Sequence, residues 1–455
     1  MTTVQTTPRL RIVAGAGLLI SLAMAVLYLA TVGAGGLTWR FYIDAAVYRA
    51  GGQFVLDGAQ LYHEQLFVGG EETGFPQTSL PFTYPPFASL LFVPLALVSQ
   101  TTAGLIIAVG NLVLAWSVTA LLIDAVASAR WRGRRAAALA TAVLPLVLLA
   151  EPVRETIFFG QINLVLMLLV VVGTVARTPW SRSWAGGVFV GLAAAIKLTP
   201  AVFGLYFLVH RRWAAAAATV ASFLAFTGAA ALILPRDSVD YWASTLADTD
   251  RIGGTAYASN QSVKGVLARL LGPEHPAESW LWLLIVGALL VLITAAMLRL
   301  HRTGGDVGRS GRVASLTVAS MIAGLCSPVS WSHHWVWLIA AAVVFVAAAL
   351  RTTGPARLTA GALAALTGLV GLIGPHWLLP HRDGAELLWP WWAQLTGSSY
   401  VVLGVLTILT AVVLPRALTG AAGVDDALAR VWSRVILVCA VLLAIGVVAA
   451  AVTGG

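Results

Sequence analysis

Hydrophobic positions in this chain come in long unbroken runs separated by short polar stretches, with no sustained alternation that would suggest strands. A helix needs about 20 apolar residues to cross a hydrocarbon layer roughly 30 Å thick, and about fourteen segments approach or reach that length. They cover residues 12–34, 86–98, 102–127, 136–150, 157–176, 184–197 and 200–209. They continue at 214–234, 280–300, 313–327, 335–350, 358–373, 398–414 and 431–451. Runs of about 10 to 15 residues are too short to cross alone and read as half-spanning or re-entrant. The pattern predicts an all-α polytopic membrane protein with about 12–14 membrane helices or half-helices and outer-face loops.

Composition agrees. Of the 455 residues, 59% are hydrophobic and only 10% charged, where a soluble domain carries about 25% charged. The net charge of +9 would by itself admit nucleic acid as a partner, but its distribution argues for the bilayer instead. The arginines fall in short clusters between apolar runs: Arg130, Arg132, Arg134 and Arg135; Arg177 and Arg182; Arg211 and Arg212; Arg302, Arg309 and Arg312; Arg351 and Arg357. That is the positive-inside pattern and predicts those loops in the cytoplasm. Three long connections, 35–84, 235–278 and 374–396, then face out. They hold most of the acids, among them Asp44, Asp57, Glu71, Glu72, Asp237, Asp240, Asp248 and Asp250.

Segment 12–34 follows Arg9 and Arg11 and outruns the apolar core of a signal peptide, so it reads as a retained signal anchor in the plasma membrane. With the flanking arginines inside, residues 84–127 make one net crossing, and 86–98, interrupted by Pro94, is expected not to cross. "AAAIKLTPAVFG" joins two short apolar runs flanked by arginines, which predicts a hairpin over 184–209 with Lys197 near its outer tip. The chemistry-bearing motifs fall within 1–350, and 351–455 reads as C-terminal transmembrane helices.

Several classes are excluded. Cys326 and Cys439 lie far apart in or beside apolar runs, giving no disulfide framework and no CxxC metal site. There is no P-loop or dinucleotide fingerprint, and the lack of an internal repeat of the kind many transporters carry weakens, without removing, a transporter reading. Chemistry is therefore expected at the outer face, with no metal or cofactor, on a substrate that ATP or a nucleotide sugar does not supply directly.

Ionisable groups at membrane depth are costly and mark candidate sites. In "FYIDAAVYRAGG", Asp44 shares a helical face with Val47 and Tyr48. It reads either as a general base with a pKa raised by partial burial or as a helix-start acid paired with Arg40 or Arg49. The tandem prolines of "FTYPPFASLLFVP" suit a helix start. "EPVRETIFFGQINLVLMLL" gathers Arg154, Gln161 and Asn163 at a helix entry, where pairing with Glu151 and Glu155 or interhelical hydrogen bonding would also account for them. Lys197 and Lys264 are the two lysines among 28 basic residues, and both suit a lipid phosphate. "SNQSVKGVLARL" adds Asn260, Gln261 and Arg269, and its Asn-Gln-Ser also matches a glycosylation acceptor. "DTD", residues 248–250, matches a metal-dependent nucleotide-sugar motif but has no nucleotide fold around it. In "SPVSWSHHWVW", His333 and His334 point about 100° apart on a helix, unsuited to chelating one metal. The flanking tryptophans mark an interface, where one histidine would face either water or a lipid phosphate.

The succession "IDAAVYRAGG", "YPP", "GQINLVLMLL", "AAAIKLTP", "NQSVKGVLARL" and "SPVSWSHHWVW" resembles the actinobacterial mannosyltransferases of glycosyltransferase family 87, over roughly residues 35–350. The resemblance implies a GT-C membrane fold, a polyprenyl-phosphate-mannose donor and a mannolipid acceptor (phosphatidylinositol mannoside, lipomannan or lipoarabinomannan). It implies inverting α-(1→2) transfer at the outer face with Asp44 as base, Asp57 being the rival. Candidates for the donor phosphate are His333, His334, Lys264, Arg269 and Lys197, in falling order, supported by Gln161, Asn163, Arg154 and Asn260. A transporter or flippase of lipid-linked sugars is the alternative, and it would place its acids within helices rather than in outer loops.

Overall fold

The computed structural model describes residues 7–33, 36–63, 66–70, 75–248, 251, 253–303, 308–423 and 426–453. Glu71, Glu72, Thr249 and Asp250 lie outside them, and with them the DTD reading. The helices are, in order, α1 (Pro8–Leu29), α2 (Ile43–Asp57), α3 (Pro86–Ala96), α4 (Gln100–Val126), α5 (Arg134–Leu149), α6 (Glu151–Phe159) and α7 (Asn163–Thr174). Next come α8 (Ala185–Ile196), α9 (Gly204–Val209), α10 (Trp213–Ile233), α11 (Pro235–Ala243), α12 (Val263–Leu271), α13 (Ala277–Thr303) and α14 (Arg309–Leu325). The last six are α15 (Leu338–Ala349), α16 (Gly354–Ile373), α17 (Trp391–Gly397), α18 (Ser399–Val413), α19 (Arg416–Thr419) and α20 (Ala427–Thr453).

Among the described residues, seven helices are long and apolar enough to cross a membrane, two further pairs are bent by more than 40° at a short break, and four apolar helices are shorter. Together they fall within the expected range. The α5–α6 pair turns by 75° where Pro152 enters the first turn of α6 and cannot extend the preceding helix. As expected, α3 is an 11-residue stub before the 27-residue α4. Residues 184–209 form a hairpin in which α8 runs to Lys197 and a 3-10 turn at Thr199–Phe203 leads back through α9. Arg212 closes its base by donating to the Ser183 carbonyl at 3.0 Å.

The arginine-bearing connections meet at one end of the bundle. Arg177 pairs with Asp124 at 3.1 Å, and Arg351 donates to Ser310 Oγ at 2.6 Å and to the Val126 carbonyl. From this basic end α8 runs away toward Lys197, and α7 runs back to it from Asn163. Each has 12 residues, about 18 Å at 1.5 Å per residue, short of a hydrocarbon layer of roughly 30 Å.

The first long connection is more structured than apolar runs could reveal. It builds α2 and the antiparallel hairpin Leu66–Gly70 with Phe75–Leu80, and its start pairs back on the end of the expected first span, where α1 stops at Leu29 and Ala30–Gly33 runs antiparallel to Gly36–Trp39. The second long connection clasps it: Asp237 accepts from the Leu61 amide at 2.8 Å, and Asp240 faces His63 at 3.1 Å. Residues 351–455 pack into the same core as the first 350, with Tyr400, Leu403 and Ile408 of α18 fully buried in it.

Candidate active site

Asp44 lies in the first turn of α2, where the helix dipole favours a negative charge. What α2 meets there is the end of α6. Gly160 caps α6 with φ +71°, and a Cβ at that position would stand 2.8 Å from the Ala45 Cβ. A glycine is therefore needed both for the left-handed turn and for the close approach of the two chains. The turn delivers Gln161 beside Asp44.

The orientation of the Gln161 amide is fixed by its neighbours. Its Oε1 accepts from Tyr48 at 2.9 Å and from Tyr84 at 3.1 Å, and the two phenols are 2.8 Å apart. Asn111 from the middle of α4 holds the Gln161 carbonyl at 2.8 Å. With the oxygen occupied, the amide N–H donates to the Asp44 carboxylate. Burial nevertheless dominates and pushes Asp44 up to about 6, against the pull of the Gln161 hydrogen bond and the charge of Lys197.

Lys197 emerges from the break after α8 and is the cation of this centre. Its Nζ lies 3.4 Å from Tyr84 Oη, 3.5 Å from Asn163 Oδ1 and 3.3 Å from His334 Nε2. An ammonium only donates, so Nε2 accepts and the ring proton of His334 sits on Nδ1. Asn163 turns its other end to the His333 carbonyl at 3.0 Å, which ties the start of α7 to the 3-10 turn Ser332–Trp337. Lys197, Asn163 and His334 line a cavity of about 50 Å³ together with the apolar side chains of Met167, Phe203 and Trp337. The arrangement holds a carboxylate able to take up a proton and a cation beside a small apolar-walled space.

The structure separates the remaining candidates. His334 reaches Lys197, whereas the His333 ring is buried edge-on to Phe159 at 5.4 Å, with neither nitrogen hydrogen-bonded among the described residues. Arg269 stands elsewhere, buried, its guanidinium donating to the carbonyls of Ala256, Tyr257 and Asn260 and to Ser398 Oγ. Lys264 faces Glu278 at 4.0 Å and the Trp282 ring. Arg154 pairs with Glu155 at 3.4 Å. Asn260 is wholly buried, bonded to the carbonyls of Thr255 and Pro328 and to the Ser330 amide. That burial corrects the glycosylation reading and makes Asn260 a staple between the second long connection and "SPVSW". Asp57, the rival base, lies at the far end of α2, 13 residues or about 20 Å along the helix from Asp44, where Gln53 holds it at 2.9 Å. Among the described residues, no group of three His, Cys, Asp or Glu could hold a metal ion.

Sequence reasoning missed two parts. Tyr84, the residue before the tandem prolines, orients Gln161 and touches Lys197. Glu151, wholly buried, accepts from Ser332 at 2.6 Å, Trp377 at 2.9 Å and Tyr400 at 2.5 Å, with His376 at 3.7 Å. Three of its partners come from the C-terminal region, in which the sequence shows no motif.

The fold and this centre describe a polytopic membrane enzyme of the GT-C glycosyltransferase class. The family model described as Glycosyltransferase family 87 matches residues 82–328, more than half of the chain, and the chain belongs to that family. It is 38% identical over 443 residues (90% of this chain, 95% of the relative) to a polyprenol-phosphate-mannose-dependent alpha-(1-2)-phosphatidylinositol mannoside mannosyltransferase of Mycolicibacterium smegmatis. It is 37% identical over 374 residues (81% and 84%) to that organism's alpha-(1-2)-phosphatidylinositol pentamannoside mannosyltransferase. An alpha-(1->3)-arabinofuranosyltransferase of Corynebacterium glutamicum is 31% identical over 234 residues, 49% of this chain and 50% of that one. No solved structure matches the chain.

Proposed function

We propose that this protein transfers mannose from polyprenyl-phosphate-mannose to a hydroxyl of a phosphatidylinositol-mannoside-type lipid, forming an α-(1→2) linkage with inversion at the outer face of the plasma membrane. The observation that carries the reading is the linkage of Asp44 to Lys197 through Gln161 and Tyr84, in a chain whose relatives are named for that donor and linkage. In the step, the acceptor oxygen bonds to the anomeric carbon as the bond from that carbon to the phosphate oxygen breaks. The hydroxyl proton passes to Asp44, and the electron pair leaves with the polyprenyl phosphate. One base suffices because a single displacement inverts a β-linked donor to an α product. Lys197, backed by His334, stands where the leaving phosphate gains charge and stabilises it.

A carboxylate raised to about 6 is ionised at neutral pH yet basic enough to assist. The basic end of the bundle belongs in the cytoplasm by the positive-inside rule, which puts the opposite end, with Asp44, outside. The test is transfer of radiolabelled mannose from the lipid donor in reconstituted membranes, wild type against Asp44→Asn. Full transfer by Asp44→Asn removes Asp44 as base, and absence of transfer by wild type to any mannolipid removes the activity itself.

A further inference from the structure

A second, larger hollow of about 620 Å³ lies between the second long connection and the loop after α16, lined by Tyr257, Pro273, His381, Arg382, Asp383 and Glu386 among others. Its volume falls in the range of roughly 300–1,000 Å³ usual for ligand sites. Three observations say what it takes. Glu386 is only 4% exposed, yet its Oε2 has no hydrogen-bond partner among the described residues, and a buried acceptor left empty is costly. Tyr257 is 38% exposed, an aromatic surface held edge-on by Trp331 at 6.0 Å and Trp377 at 6.2 Å. The charges are mixed, two carboxylates set against Arg382 and His381, so the lining offers both donors and acceptors without a net field for phosphate.

An aromatic face together with carboxylates and a guanidinium suits a neutral, hydroxyl-rich ligand. The hollow is also wired to the reacting centre. Trp331 stands three residues before His334, and Trp377 donates to Glu151, which also holds Ser332. We infer that this hollow binds the non-reacting sugar residues of the acceptor glycolipid and thereby selects acceptors by the size of their headgroup. The inference rests on the reading of the acceptor as a mannolipid. Relatives named for different acceptors are nearly equally similar to this chain, at 38% and 37% identity, so acceptor choice rests on local features such as this hollow. Contacts to remote parts of a substrate are spent on orienting the reacting hydroxyl, so their loss falls on the large acceptor and spares the small one.

The experiment compares two acceptors, a tetramannosylated phosphatidylinositol and a single-mannose alkyl mannoside, with wild type, Glu386→Gln, Arg382→Gln and Tyr257→Ala in proteoliposomes. Arg382 is exposed, so its variant keeps the test usable if either of the other two fails to fold. The expected result is a fall of about tenfold or more in the ratio of kcat/KM for the large acceptor to that for the small one. An unchanged ratio in a folded variant overturns the assignment while wild-type transfer to both acceptors leaves the proposed function standing. Wild-type transfer to neither overturns the proposed function, and the assignment falls with it.

Discussion

Glu151 and Asp44 are buried or partly buried carboxylates on helices that touch, and the protein treats them oppositely. Glu151 has both oxygens engaged by the hydroxyls of Ser332 and Tyr400 and the indole of Trp377. Asp44 receives the Gln161 amide and the distant charge of Lys197. A carboxylate saturated with donors works as a fastener. One left short of them remains able to accept a proton, and the protein arranges the shortage by spending the Gln161 oxygen on two tyrosines. The lesson is that burial of an acid says little about its role until its donors are counted.

The largest effect that separates the two is a crossed pair of substitutions. Asp44→Asn is expected to lower kcat by about a thousandfold, the scale of a lost general base, with the melting temperature in detergent essentially unmoved. Glu151→Ala strands three buried donors at about 1–3 kcal/mol each, so its melting temperature should drop sharply. A matching loss of stability in Asp44→Asn would make both acids fasteners. Next in size, Lys197→Met should cost about a hundredfold, on the scale of losing one preorganised charge at a developing anion. The loss should appear in kcat more than in KM; a pure KM effect would reduce Lys197 to a docking contact.

The smallest effect is the most diagnostic. Burial raises Asp44 to about 6, and only the ionised form is a base, so kcat/KM should fall as pH drops through about 6. In Gln161→Leu, which removes a group that lowers the value, the acid limb should move to higher pH. Stability runs the other way for this group. Because its folded value lies above the ordinary aspartate value of 3.8, the folded state binds more protons between those limits, and the contribution to stability declines as pH rises across them. An acid limb that stays in place in Gln161→Leu would detach it from Asp44.

Much of this was legible in the chain. Apolar runs expose membrane helices because the bilayer enforces their length, and arginine clusters mark one end because translocation sorts them. The short α3 and the hairpin around Lys197 followed from the same two constraints. Asp44, Gln161, Asn163 and His334 were visible as polar interruptions of apolar sequence. Their arrangement was not, since nothing in the sequence shows that Lys197 faces a cavity while Arg269 spends its donors on the fold. Sequence cannot tell a cation whose donors are spent on backbone carbonyls from one facing a cavity, because those carbonyls are contributed by the fold and every residue has one. Glu151 was hidden for a related reason: its partners lie about 180 to 250 positions away.

The 12-residue length of α7 and α8 acts as a depth gauge. With the basic end at one surface and the helices upright, a length of about 18 Å would put Lys197 and Asn163 about 12 Å beneath the opposite surface of a roughly 30 Å layer. A donor phosphate must sink by that distance while its isoprenoid tail remains among lipids. An acceptor must carry enough headgroup to dip to the same level while its own chains stay anchored. A lipid-anchored acceptor with a small head must draw its own chains toward the site to arrive, and lengthening both helices by one turn, about 5.4 Å, would shift the range of anchored heads that reach the bottom without that cost.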